Sequence, residues 1–265
     1  AAAAVVVDDA AAAAAAAATT RAAAEPLCVR DDARELVEHV HLVDRSTHHN
    51  TYLFRGGSPD FPNKQFNYAA LKKSLALAAA DAGVHDFPST FYLIDVNLMN
   101  YDQLTNRTGP GGDAVESISE YEFFAANAHL GEYWYWHTAG TNANATAHWL
   151  PPSSRRYLVD TFDTWNEDQL STRTDALHAA VHTSHPRSDA TVVYFHCDCG
   201  CDRTGEMGGA YNLRYMNFTW KAANALNTKI PGRPMGSSHY RIMQFYCLHL
   251  NAAHGFTLDC LTNYQ

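Results

Sequence analysis

The chain has 265 residues, 46% hydrophobic, 12% aromatic and 18% charged, the profile of a folded protein rather than a disordered one. Its 19 basic and 28 acidic residues give a formal charge of −9, with no Lys/Arg block to track a nucleic-acid backbone, so nucleic acid is not an expected partner. No apolar run reaches the ~18 residues of a membrane-spanning helix.

The first 24 residues are mostly alanine and lack the basic start and Leu-rich middle of a secretory signal; they say nothing about packing. The expected organisation is an uninformative segment over 1–24 and one domain over 25–265. Six cysteines, Cys28, Cys197, Cys199, Cys201, Cys247 and Cys260, are too few for a disulfide scaffold at this length. Sequons at Asn106-Arg-Thr, Asn144-Ala-Thr and Asn217-Phe-Thr occur about as often by chance in a chain this rich in Asn and Thr. The expected compartment is the cytoplasm, with a secreted or lumenal one left open.

In chain order, "HVHLV" (39–43) and "TYLFRGG" (51–57) read as strands around a polar turn. "NYAALKKSLALAAADAG" (67–83) reads as a helix ended by Gly83, and "FYLIDV" (91–96) as a buried strand. A polar loop over 97–112 leads to a helix over 115–128, and "YWYWH" (133–137) has strand composition. A long irregular connection through Asn142, Asn144, Pro151 and Pro152 follows. The run 166–185 reads as a helix with Asn166 as N-cap, 190–196 as a strand, and 205–227 as one long helix. This alternation predicts an α/β domain whose helices flank a largely parallel sheet, where ligands gather beyond the carboxyl ends of the strands.

The informative stretch is "FHCDCGCDRTGEM" (195–207), at a predicted strand-to-helix junction. One imidazole and three thiols within six residues suggest a metal clip, but structural zinc draws ligands as wider-spaced pairs. Mutual disulfides within one turn are sterically difficult. A loop ending in Arg-Thr-Gly at a helix N-terminus supplies backbone N–H groups, a helix dipole and a guanidinium to one anion. The same positive field favours the thiolate of a cysteine at the loop's start, and the thiolate is the nucleophile.

"HCDCGCDRTG" (196–205) is His-Cys, five residues, Arg, Thr, Gly, and so resembles the signature of cysteine-dependent phosphatases, which include tyrosine, dual-specificity and phosphoinositide phosphatases. The resemblance implies the cysteine-phosphatase fold and hydrolysis of a phosphate monoester through a cysteinyl-phosphate, without cofactor or metal. Cys197 is then the nucleophile and Arg203 the phosphate clamp. Thr204 is the hydroxyl that bonds the thiolate, and His196 orients the cysteine. The cradle is the backbone from Asp198 through Cys199, Gly200 and Cys201 to Arg203, and Thr204 and Gly205 complete the substrate-binding set.

Two positions compete for the general acid. The usual upstream location offers Asp160, Asp163 and Asp168, of which Asp163 is preferred as a loop residue just before the expected cap. The form Cys-x-x-Gly-x-Asp-Arg-Thr, read on Cys197, Gly200, Asp202, Arg203 and Thr204, is similar to that of myotubularin-like phosphatases and makes Asp202 the donor; Asp202 could instead pair with an arginine such as Arg214. Cys199 or Cys201 could serve as a resolving thiol. Asp198 and Asp202 in the loop disfavour a substrate with clustered phosphates, so a singly phosphorylated protein or phosphoinositide is expected. "RGGSP" (55–59) resembles an element near the start of dual-specificity phosphatases, though a Gly-Gly turn would explain it equally. The rival readings are a catalytically silent binding module of the same fold and a Cys/His metal site.

Overall fold

The computed structural model describes residues 35–61, 63–100, 113–140, 147–183 and 190–262. Five strands, β1 (His41–Ser46), β2 (Thr51–Gly56), β3 (Tyr92–Asn97), β4 (Gly131–Tyr135) and β5 (Thr191–His196), form one sheet in the order β1-β2-β5-β3-β4. Among the described strands the β1/β2 hairpin is antiparallel, and β2/β5, β5/β3 and β3/β4 are parallel. The fold is α/β, a central largely parallel sheet flanked by helices.

Side chains along a strand alternate between faces, and β2 and β5 do so with apolar residues on both sides. Leu53, Val193 and Phe195 join Ile94 and Val96 of β3 in one core cluster, while Tyr52, Phe54, Val192 and Tyr194 join the other. The first cluster is completed by α5 (Leu170–His182), α6 (Asp202–Tyr215), α7 (Trp220–Lys229) and α8 (Ser237–His254), through Leu177, Tyr211, Trp220 and Phe245. The second is completed by α1 (Tyr68–Asp81) and by Phe124 of α2 (Asp113–Ala126). All six residues of β5 are buried, so the strand feeding the cysteine-rich loop is held on both faces.

The expected strands and the helix at 67–83 are present, with Asn67 accepting from the Ala70 N–H at 3.0 Å and Gly83 at φ 77° just past its end. Three expectations need correction. The helix expected from Asn166 begins at Leu170; the Asn166 side-chain Oδ1 accepts from the Asp168 N–H at 3.1 Å, and Gln169 turns left-handed at φ 49°. The long helix at 205–227 is two: α6 ends at Tyr215, Asn217 takes φ 55°, and Thr219 caps α7 by accepting from Ala222 N–H at 3.2 Å. The irregular connection contains α3 (Pro152–Asp160) and the single turn α4 (Phe162–Trp165), and α8 follows α7. The cysteine count left individual disulfides open, and Cys247 of α8 is bonded to Cys260 while Cys199 is disulfide-bonded. Residues 101–112 of the expected loop over 97–112, and the stretch through Asn142 and Asn144, lie outside the described residues.

No helix among the described residues is long and apolar enough to cross a membrane.

Candidate active site

The cysteine-rich loop leaves β5 after His196 and enters α6 at Asp202, at the carboxyl end of a central parallel strand. Cys197 is free and buried. The loop's carbonyls are tied to the β1–β2 side of the molecule. Asp198 carbonyl accepts from the Ser58 N–H at 2.8 Å, Cys199 carbonyl from His39 Nδ1 at 2.7 Å, and Gly200 carbonyl from Arg55 Nη2 at 3.2 Å. In a trans peptide, C=O and the next N–H point in opposite directions. Three carbonyls held against the scaffold therefore turn the N–H groups of Cys199, Gly200 and Cys201 the other way, away from Ser58, His39 and Arg55. Gly200 has no substitute here: its φ is 71°, and a Cβ would lie 2.6 Å from the Gly56 carbonyl carbon, a backbone atom that cannot give way.

Sequence reasoning gave Arg55 no role. Its side chain is fully buried beneath the loop, with Nη1 donating to Asn227 Oδ1 at 2.5 Å. Burial lowers its pKa to about 10, against the raising influence of Cys197, Cys201 and Tyr194, so it remains a cation at neutral pH. Gly208 packs against it, since a Cβ there would stand 2.8 Å from Nη1. The signal was present in "RGGSP": a buried arginine on a strand needs acceptors, and the loop carbonyl supplies one. A fixed positive charge under the loop adds to the α6 dipole in favouring an anion above it.

Arg203, the expected clamp, is half-buried in the first turn of α6. Thr204 is buried and its hydroxyl donates to the Gly56 carbonyl at 3.3 Å. A hydroxyl has one proton, so in this arrangement Thr204 ties α6 to β2 rather than bonding the Cys197 sulfur. Gly205 N–H donates to Cys201 carbonyl at 2.9 Å as the first turn of the helix closes.

The other two loop cysteines are not available for redox or metal chemistry as expected. Cys199 is already in a disulfide. Cys201 is buried, its thiol donates to Cys199 carbonyl at 3.4 Å, and burial pushes its pKa to about 12 despite Arg233 nearby. A thiol so rarely ionised is a poor resolving nucleophile. The loop is also not a thiolate metal clip, because its three sulfurs do three different things.

His196 is fully buried at the end of β5, its Nδ1 3.4 Å from Cys197 carbonyl and its Nε2 3.3 Å from Asp95 Oδ1 and 3.4 Å from Glu120 Oε1. Burial opposes its charge, but Asp95 outweighs that and raises the pKa. Glu120 is pushed well above the carboxylate range by burial and by the charges of Asp60 and Asp95, with Asn97 donating to it. We therefore read His196 as paired with Asp95, and Glu120 as a neutral acid rather than a second counter-ion.

Neither expected general acid is poised as a proton donor. Asp202 accepts from Arg233 through both oxygens, at 3.0 and 2.7 Å, and from Gly236 N–H at 2.6 Å. Burial opposes ionisation, yet these bonds and the Arg233 charge lower its pKa. The partner is thus Arg233, not Arg214, which pairs with Asp175 at 2.8 Å. Asp163 lies not in a loop but on α4, more than half exposed, accepting from Ser171 Oγ at 2.6 Å with His249 Nε2 at 3.3 Å. Asp168 precedes α5 rather than entering it, and fixes the turn after β4 by accepting from Ala139 and Gly140 N–H, each at 2.7 Å.

A buried acid that sequence reasoning missed is Glu206, one turn into α6. It is fully buried, 2.7 Å from His239 Nδ1. Burial and the neighbouring Asp168 push its pKa well up, while burial lowers that of His239 to about 4. Both shifts describe a neutral hydrogen bond, Glu206 O–H donating to imidazole, rather than an ion pair. A carboxyl with a raised folded pKa contributes stability that is full below its unfolded value and is lost as pH rises through the folded one. We expect Glu206→Gln, which retains a donor, to flatten that alkaline loss. In urea titrations at stepped pH, a variant that loses stability toward high pH as steeply as the parent would refute the assignment.

No protein-family model matches the chain, and no curated protein does. Solved structures similar to it include a single-residue variant of human DUSP28, at 16% identity over 80% of this chain and 97% of that one, TM-score 0.38. A mouse putative dual specificity phosphatase complexed with zinc tungstate matches at 15% identity over 76% and 86%, TM-score 0.37. PTPMT1 in complex with PI(5)P matches at 14% over 82% and 100%, TM-score 0.33. At such scores the likeness carries no weight for the chemistry, which is argued from the loop.

Proposed function

We propose that the chain is a metal-free phosphate monoester hydrolase working through a cysteinyl-phosphate on Cys197. The observation that carries this reading is the outward tethering of the Asp198, Cys199 and Gly200 carbonyls, which leaves successive N–H groups for an anion beside a buried cysteine and Arg203. The thiolate attacks phosphorus, the bond to the leaving oxygen breaks, and that oxygen takes a proton. Water then attacks the phosphoenzyme, the S–P bond breaks, and thiolate and inorganic phosphate are regenerated. Arg203 and the loop N–H groups stabilise the charge on the three peripheral oxygens.

Asp202 is the proposed donor by its place in the loop, under one condition. Its bonds to Arg233 favour the carboxylate, so it donates only if a substrate phosphate draws Arg233 away and places negative charge beside it, which raises its pKa. Asp163 is the second candidate. The substrate class we propose is a singly phosphorylated protein or phosphoinositide, since Asp198 and Asp202 repel clustered phosphates. A second reading, the silent binding module, is favoured by one observation: the Asp202 carboxylate and the Thr204 hydroxyl are both committed to structural partners.

Acid quenching during turnover of a labelled aryl phosphate should leave phosphate on the peptide containing Cys197. Turnover with no trapped label at that peptide, or turnover abolished by a chelator and restored by zinc, would overturn the mechanism.

A further inference from the structure

Asn217 belongs to a sequon whose chance occurrence was as good an explanation as any from sequence alone, and three observations now bear on it. It sits in the break between α6 and α7, is exposed, and holds φ 55°, a left-handed conformation that asparagine tolerates at a turn. Thr219, two residues on, is also exposed; its oxygen accepts from Ala222 N–H at 3.2 Å, leaving the hydroxyl proton outward. Phe218 between them is packed against the core, and its N–H donates to Asn212 carbonyl at 3.1 Å, so the turn is fixed while its two sequon side chains face solvent.

The second line is independent of the sequon. Cys247 and Cys260 are joined across 13 positions, both essentially inaccessible, and Cys199 is bonded as well. The bond anchors the segment after α8, where Gln244 Nε2 donates to Cys260 carbonyl at 2.9 Å and Asn251 brackets Leu258 through its N–H and carbonyl at 2.8 Å each. Glutathione and thioredoxin keep thiols reduced in the cytosol, whereas such bonds persist in oxidising compartments, which are also where sequons meet the glycosylation machinery.

We propose that Asn217 is an N-glycan acceptor and that the domain matures in an oxidising, secretory compartment, in place of the cytoplasm expected from sequence. The transfer joins the Asn217 amide nitrogen to the anomeric carbon of an oligosaccharide carried on a lipid pyrophosphate; the amide loses one proton and the lipid pyrophosphate departs. The glycan would stand on the α6–α7 turn, and the phosphate chemistry proposed above is not needed for this inference.

The test is peptide mapping of the full chain from the cells that make it, before and after an amidase that removes N-glycans and converts the bearing Asn to Asp. Conversion at 217 is expected, with Cys247 and Cys260 recovered as one linked pair without reductant. In a secreting eukaryotic host, Asn217→Gln should lose that glycan and Thr219→Ser retain it; the serine keeps the helix cap, so folding does not confound the comparison. Native protein with Asn217 wholly unmodified, or with Cys247 and Cys260 alkylated as free thiols, overturns the proposal.

Discussion

Cys197→Ser is expected to take turnover of an aryl phosphate to background while the protein still folds and still binds tungstate or inorganic phosphate. A serine hydroxyl fills nearly the same space in this buried position, but it is ionised far less readily than a thiol and is a poor nucleophile toward phosphorus at neutral pH. Binding should survive because the N–H groups of Cys199, Gly200 and Cys201 are oriented by carbonyl tethers to Ser58, His39 and Arg55, none of which the substitution touches. Arg203→Lys should cost on the order of 10²–10³ in turnover, the size of losing one donor aimed at transition-state charge, because a point-charge ammonium cannot bond two phosphoryl oxygens at once. Steady-state rates read the first effect, and the upward shift of melting temperature with added tungstate reads the second half of the claim. A serine variant within about tenfold of the parent rate would remove Cys197 from the chemistry. A folded parent that neither turns over aryl phosphate nor is stabilised by tungstate would remove the cradle as well.

The parts legible in the sequence share a physical cause. "TVVYFH" is a run of strand formers buried on both faces, so its pattern and its environment agree, and the loop after it is defined by spacing alone. α8 was not legible because burial covers a consecutive run from Ile242 to Cys247; a helix apolar on nearly all sides shows no 3.6-residue period. The α6–α7 break was hidden because residues on both sides of it are helix formers, and only the turn at Asn217 and the Thr219 cap interrupt them. Asn166 has the chemistry of an N-cap, but its side-chain oxygen accepts from Asp168 N–H in a local turn instead, the competition that makes asparagine ambiguous. Partners distant in sequence were least accessible. Arg55 lies 145 positions from Gly200 and Arg233 lies 31 from Asp202, and no local pattern announces either contact. Those contacts decide which loop group is held charged and which carbonyls face outward.

Arg233 carries the last expected result, because it links the ionisation of Asp202 to the pH profile. A general acid works while protonated, so activity falls as pH rises through its pKa. Arg233 bonds Asp202 through both carboxylate oxygens and holds that pKa down. Arg233→Gln should therefore move the alkaline limb of kcat/KM to higher pH if Asp202 donates the proton. Asp202→Asn should slow phenyl phosphate far more than an ester of a very acidic phenol, since only a basic leaving group needs the proton. The same substitution also removes the charge from the group that accepts from Gly236 N–H at the start of α8 and takes away one of the two oxygens that bond Arg233, so melting curves must accompany the rates. A structural loss slows both esters alike, whereas a lost proton separates them. Leaving-group dependence on Asp163→Asn alone would transfer the role to α4, and an alkaline limb unmoved by Arg233→Gln would agree with that. If all three variants keep the parent's leaving-group slope, no carboxylate in these positions donates, and the commitment of Asp202 to Arg233 becomes the mark of a loop built to bind phosphate without cleaving its ester.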